Sequence, residues 1–184
     1  MVKSLILCEG GEDLGLLTKF LAVKLAQKGA VDVRKLKNNK TDFFNVDSYR
    51  LVIQQLHNKQ YKKVLFIVDA DHISNDAVYG GYSNTESKLR SIISELGFDG
   101  IADIFIACDP LTKEGTMEHL LLSTTESSKR ACVEKLINCI NGYTPYSNKK
   151  IVYNGYSNIF PDTPYNFDHT HFDELISKLT WLTT

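Results

Sequence analysis

Five consecutive apolar residues, Val64-Leu65-Phe66-Ile67-Val68, run without alternation straight into Asp69-Ala70-Asp71. A strand with one face in water alternates apolar and polar residues, whereas an unbroken apolar run has both faces covered, the pattern of a parallel sheet packed between helices. Parallel strands need long crossover connections, and the rest of the chain supplies them. Leu5-Ile6-Leu7-Cys8 is a second continuous run and ends at Glu9-Gly10-Gly11. Leu14, Leu17, Leu21 and Leu25 then keep helical spacing up to Gly29, with Lys19, Lys24 and Lys28 off the stripe. Val31-Asp32-Val33-Arg34 reads as a short strand, and Tyr49, Val52, Ile53 and Leu56 as a helix. Past the central strand, a loop rich in Asn, Gly and Ser over 74–84 leads to a helix marked by Leu89, Ile92, Ile93 and Leu96. A fourth strand over 101–108 stops at Asp109-Pro110, and Gly115-Thr116 precede a short helix from Met117 to Leu121. Val133, Leu136, Ile137 and Ile140 mark a further helix, and the last runs from about His171 to Leu182. This order predicts an α/β, Rossmann-like fold with a central parallel sheet of about four strands flanked by helices.

A chain of 184 residues fits one domain, with a core over 1–122 and an extension over 123–184. Lys plus Arg number 21 and Asp plus Glu 22, so the net charge of −1 disfavours a generic nucleic-acid-coating role. Cys8, Cys108, Cys132 and Cys139 form no CxxC pair, and three of them fall in apolar patterns where a thiol serves as a small hydrophobe. Together with an opening apolar run too short for a secretory leader and no membrane-length apolar stretch, this predicts a cytoplasmic protein.

Ligands of open α/β sheets bind beyond the carboxyl ends of the strands, and here those ends are acidic. Glu9 follows the first strand, Asp69 and Asp71 the third and Asp109 the fourth, with Glu118 shortly after. Asp13, four residues past Glu9, belongs to the first helical turn. Carboxylates crowded at one edge repel each other unless a cation neutralises them. Oxygen ligands with few His or Cys nearby suit Mg²⁺ or Mn²⁺, the ions of phosphodiester chemistry. Plainer readings stand beside this one. Glu12 and Asp13 complement the positive end of a helix, and Asp109 before Pro110 forms a turn. Two carboxylates at the end of a buried strand are harder to explain that way.

Leu5-Ile6-Leu7-Cys8-Glu9-Gly10-Gly11-Glu12-Asp13, followed by Val64 to Asp71, resembles the TOPRIM domain, in which a glutamate ends the first strand and a DxD motif a later one. Topoisomerases, primases, OLD-family nucleases and RecR-like proteins share that domain. The Glu9-x-x-x-Asp13 spacing is most similar to the OLD nuclease branch, and Gly115 to Leu122 with Phe167 to Leu182 resemble small stand-alone TOPRIM-like proteins. The resemblance implies a TOPRIM fold and Mg²⁺-dependent, nuclease-like action on nucleic acid. Glu9, Asp69 and Asp71 would be catalytic, with Glu9 a metal ligand or general acid/base; Asp69 and Asp71 would bind metal, and Asp13 and Glu118 a second ion. The chain has no P-loop, no primase zinc segment and no assignable topoisomerase tyrosine among its nine.

Two competing expectations remain. One is a non-catalytic module of the same type that binds nucleic acid or a protein partner such as a separately encoded ATPase. The other is a haloacid-dehalogenase-type phosphatase, whose DxD motif normally lies on the first strand. Lys35, Lys37 and Lys40, then Lys59, Lys62 and Lys63, then Lys149 and Lys150 are basic groups that would meet phosphates only if they converge, and otherwise are solvated surface. Tyr143, Tyr146, Tyr153, Tyr156, Phe160, Tyr165 and Phe167 read as an irregular aromatic cover, used for packing before base stacking. Asp168-His169-Thr170-His171 reads as helix capping rather than a metal site, and His72 and His119 adjoin the carboxylates.

Overall fold

The computed structural model describes residues 2–25, 30–36, 40–141, 156 and 165–184. Four strands, β1 (Lys3–Cys8), β2 (Val31–Lys35), β3 (Tyr61–Asp69) and β4 (Ala102–Ala107), form one sheet in the order β2-β1-β3-β4. All three pairings are parallel. The helices are α1 (Gly11–Lys24), α2 (Lys40–Phe43), α3 (Arg50–His57), α4 (Tyr82–Glu95), α5 (Met117–Leu122), α6 (Ser127–Asn141) and α7 (Asp173–Thr183). The fold is therefore α/β and Rossmann-like, and among the described residues no helix is long and apolar enough to cross a membrane.

Successive residues of β3 point to opposite faces, so its unbroken apolar run feeds two cores at once. Leu65 and Ile67 join Ile6, Cys8, Phe105 and Ala107 beneath α1, α5, α6 and α7. Val64, Phe66 and Val68 join Leu5, Leu7, Ile104 and Ile106 beneath α2, α3 and α4. The chain moves one way from β1 to β2 and the other way from β2 to β3 and β4. Right-handed crossovers that reverse direction put their helices on opposite faces, which is why α1 and α4 lie on different sides. The reversal also leaves a crevice between the carboxyl ends of β1 and β3, the place where ligands bind in sheets of this order.

Three local outcomes differ from the sequence pattern. The buried stripe of α1 is Asp13, Leu16, Leu17, Phe20 and Leu21, with Leu14 and Leu25 only partly buried. Rotating the helix this way buries the Phe20 ring against Phe167 and Phe172, at 4.9 and 5.2 Å between centroids, more apolar surface than Leu14 or Leu25 offers. The polar stretch after β2 holds α2, and Tyr49 ends a short 3₁₀ turn over Val46–Tyr49 before α3 begins. Buried Tyr49 donates its hydroxyl to Phe43 O at 2.5 Å, and that bond fixes the two turns together. Finally, only Cys8 and Cys108 are buried; Cys132 and Cys139 lie on the exposed face of α6, and Leu136 is 45% exposed.

The expected helix stop at Gly29, together with Lys28, Lys37, Tyr143, Tyr146, Lys149, Lys150, Tyr153 and Phe160, lies outside the described residues. Tyr156 and Tyr165 stack at 4.5 Å, and Tyr165 stacks on Phe167 at 5.4 Å, so these rings build the core beside α1. Truncating Phe66, which is fully buried at the centre of one core, to Ala should destabilise the fold by about 3–5 kcal/mol in chemical denaturation. The control Leu51→Ala, at an exposed site, should change stability by no more than about 0.5 kcal/mol.

Candidate functional site

Register brings Glu9 and Asp69 to the same crevice. Cys8 pairs with Ile67, so Glu9 lies level with Val68 and one residue short of Asp69. Asp69 is the last residue of β3 and is 3% exposed. Its Oδ1 accepts from the Met117 N–H at 2.9 Å, so the carboxylate sits against the first turn of α5. Asp13 is also 3% exposed, on the buried stripe of α1. Its Oδ2 accepts from the Gly10 N–H at 2.9 Å and caps the helix, while the buried Oδ1 has no hydrogen-bond partner among the described residues. A surface residue complementing the helix dipole would not be buried in this way.

Glu118 follows at the start of α5 and is 1% exposed, with Oε2 accepting from the Thr116 hydroxyl. The segment before it is tied to the DxD turn by two backbone bonds, Asp71 N to Gly115 O at 2.7 Å and Gly115 N to Asp71 O at 3.0 Å. Gly115 has φ +96°, and a Cβ there would stand 2.7 Å from the His119 ring, so no larger residue fits this close approach. The His119 Nδ1 accepts from the Thr116 N–H at 3.1 Å, which leaves the proton of the neutral ring on Nε2. Burial, with His72 adding to it, holds His119 below the ordinary histidine range. The His72 ring stands 5.2 Å away and nearly perpendicular, and its Nδ1 lies 3.2 Å from Glu114 Oε2.

Asp71 turns elsewhere. It has φ +59°, unusual for a residue with a side chain, and its Oδ2 accepts from Lys40 Nζ at 3.0 Å. Lys40 also donates to Ala70 O at 2.8 Å. Asp13 and Asp69 both act on the Cys8 thiol at the end of β1, and a backbone N–H meets one oxygen of each. Among the described residues, no three His, Cys, Asp or Glu side chains form a ready-made metal cage.

Electrostatics fit this crowding. Burial pushes the Cys8 thiol up to about 12, with the Asp13 and Asp69 carboxylates adding to the rise. Burial raises Cys108 to about 11. Burial thus favours the protonated form of both thiols at neutral pH.

Other sequence candidates have structural employment. Lys62 and Lys63 donate to the carbonyls of Thr184 and Trp181, at the edge of the sheet away from the carboxylates. Lys40 reaches the DxD turn, and nothing in the sequence separates it from Lys35. His169 Nδ1 accepts from the His171 N–H and caps the 3₁₀ turn over Thr170–Phe172, while Asp168 pairs with Lys24. Asp109 accepts from the Leu111 N–H at 2.9 Å and pairs with Arg130, which joins the turn after β4 to α6.

Burial alone would raise the Asp109 pKa, but the Leu111 N–H and the Arg130 guanidinium outweigh it and hold the carboxyl below its usual range. A depressed pKa adds stability that is complete above the unfolded value of about 3.9 and is lost as pH falls through the folded one. Asp109→Asn should therefore be less stable than the wild type at pH 7, and the gap should narrow between about pH 5 and pH 2 in denaturant titrations.

Comparison with protein-family models, with curated proteins and with solved structures gives no match to this chain.

Proposed function

We propose that this protein is a divalent-metal-dependent, phosphodiester-processing protein of TOPRIM type with nuclease-like activity on nucleic acid. The observation that carries the reading is the burial of Asp69 at the end of β3, of Asp13 in the first turn of α1 and of Glu118 beside the Met117 N–H that meets Asp69, with Asp13 Oδ1 left without a hydrogen-bond partner among the described residues. Burying an ionised carboxylate opposes folding unless a partner compensates, and a divalent cation would compensate the open oxygen of Asp13. The donor set is all oxygen, which suits Mg²⁺ or Mn²⁺. Holding Asp13 Oδ2 by the Gly10 N–H leaves Oδ1 oriented, as a ligand of a metal needs to be.

In this reading Asp69, Asp71 and Glu9 hold the ion, with Asp13 and Glu118 serving a second. The ion, when bound, polarises a phosphoryl oxygen and acidifies water. Glu9, the residue after β1, would be the one to move a proton to or from the reacting oxygen. The Met117 N–H fixes Asp69, and the Gly115 bridge fixes the backbone of Asp71. Nucleic acid is the partner this chemistry implies. The four cysteines are free, which accords with a reducing cytoplasm.

A second reading, a non-catalytic module of the same type that binds nucleic acid or a separately encoded ATPase, is favoured by the engagement of Asp71 with Lys40. The phosphatase reading has least support, because it leaves Glu9 and Asp13 without a part.

Mg²⁺ and Mn²⁺ should raise the thermal stability of the wild type and switch on cleavage of labelled single- or double-stranded DNA or RNA. Asp69→Asn/Asp71→Asn should lose the metal-dependent stabilisation and about two orders of magnitude or more of the cleavage rate. Cleavage retained in that variant would overturn the site, and metal binding without cleavage of any of the four substrates would favour the non-catalytic module.

A further inference from the structure

Lys40 reaches the DxD turn from α2, a part of the chain with no motif of its own. Its side chain is 11% exposed, so its ammonium has exchanged most of its water for Asp71 Oδ2 at 3.0 Å, Ala70 O at 2.8 Å and the Phe44 ring, whose centroid lies 5.9 Å away. Both oxygen acceptors belong to the turn between Asp69 and Asp71. That turn is otherwise fixed through its backbone. Ala70 O accepts also from the Gly81 N–H at 2.9 Å and the Thr85 hydroxyl at 3.3 Å, and Asp71 is clamped on both sides by Gly115. The direction of the Asp71 side chain follows from this clamped, left-handed backbone, and the charge that meets it is Lys40.

We propose that Lys40 is a resident cation of the carboxylate turn, which holds Asp71 until a divalent ion displaces it and so sets the metal affinity of the site. The inference rests on the metal-binding reading above. An ammonium and a divalent ion cannot both lie against one carboxylate oxygen without strong mutual repulsion. Lysine suits the exchange because its charge rides on a flexible four-carbon stem, and Lys40 is the first residue of a four-residue helix. On displacement the ammonium stays tethered beside the turn, where Ala70 O still offers it an acceptor. A lysine acting only as a structural ion pair would instead fasten α2 to the turn and leave metal affinity unchanged when removed.

The test is Mn²⁺ binding to the full chain, read from the electron paramagnetic resonance signal of free Mn²⁺. Circular dichroism and thermal unfolding confirm that each variant is folded. Lys40→Gln should bind Mn²⁺ about tenfold more tightly than the wild type, the effect of removing one close competing charge. Lys40→Arg, which keeps the charge, should bind like the wild type. In an Asp71→Asn background Lys40→Gln should change affinity by less than about twofold, because the coupling runs through Asp71. Lys40→Met, which keeps the stem against Phe44, serves where Lys40→Gln does not fold. Binding by Lys40→Gln but not by the wild type supports the proposal. Equal affinity in the wild type and Lys40→Gln overturns it while leaving the metal reading intact, and a full tenfold gain that persists with Asp71→Asn overturns it as a general charge effect. No Mn²⁺ bound by either protein overturns both.

Discussion

Burial of β3 on both faces is the constraint from which the rest of the structure follows. Leu65 and Ile67 bind one layer of helices and Phe66 and Val68 the other, so the strand cannot slip by one residue without exchanging the two cores. Fixing β3 in this way fixes the height of Asp69, and pairing with β1 sets Glu9 beside it. The carboxylates therefore owe their position to apolar packing several residues away, and the loops only complete the arrangement.

What the loops add is orientation. The Met117 N–H holds one oxygen of Asp69, the Gly10 N–H one of Asp13, and the Thr116 hydroxyl one of Glu118. These bonds lower the penalty of burying charge without removing it, since a hydrogen bond compensates only part of the hydration that an ionised group loses. At Asp71 a lysine meets the carboxylate. Changing both DxD residues to Asn should thus relieve repulsion at Asp69, yet it also deprives a mostly buried ammonium of its counter-charge.

The sequence carried the sheet plainly. Unbroken apolar runs at 5–8 and 64–68 mark strands covered on both faces, and helical spacing after them accounts for α1 and α4, as it does near the end of the chain for α7. The face of α1 was less legible, because Leu14-x-x-Leu17 and Leu17-x-x-Phe20 satisfy the same period and only packing against Phe167 and Phe172 decides between them. Strand-end placement makes Glu9, Asp69 and Asp71 candidates from residue order alone, with Asp13 four residues past Glu9, and what the structure adds is the burial of Asp13 and Asp69. The part of Lys40 was invisible there, since a lysine in a polar stretch after an edge strand looks like solvated surface. Its reach to Ala70 and Asp71 depends on α2 and on Tyr49 gripping Phe43, contacts that no local pattern encodes. Asp109 and the histidines at 169 and 171 illustrate the converse, polar residues at strand or helix ends that serve turns and caps.

A divalent ion held in the crevice between the carboxyl ends of β1 and β3 would leave a local signature. Its most direct test is the paramagnetic broadening of backbone amide resonances by substoichiometric Mn²⁺. Broadening should concentrate on residues 9–13, 69–71 and 115–118, with none at residues 60–63 and 181–184 at the opposite end of the sheet. Broadening spread over exposed acidic side chains, or absent from the crevice, would contradict it.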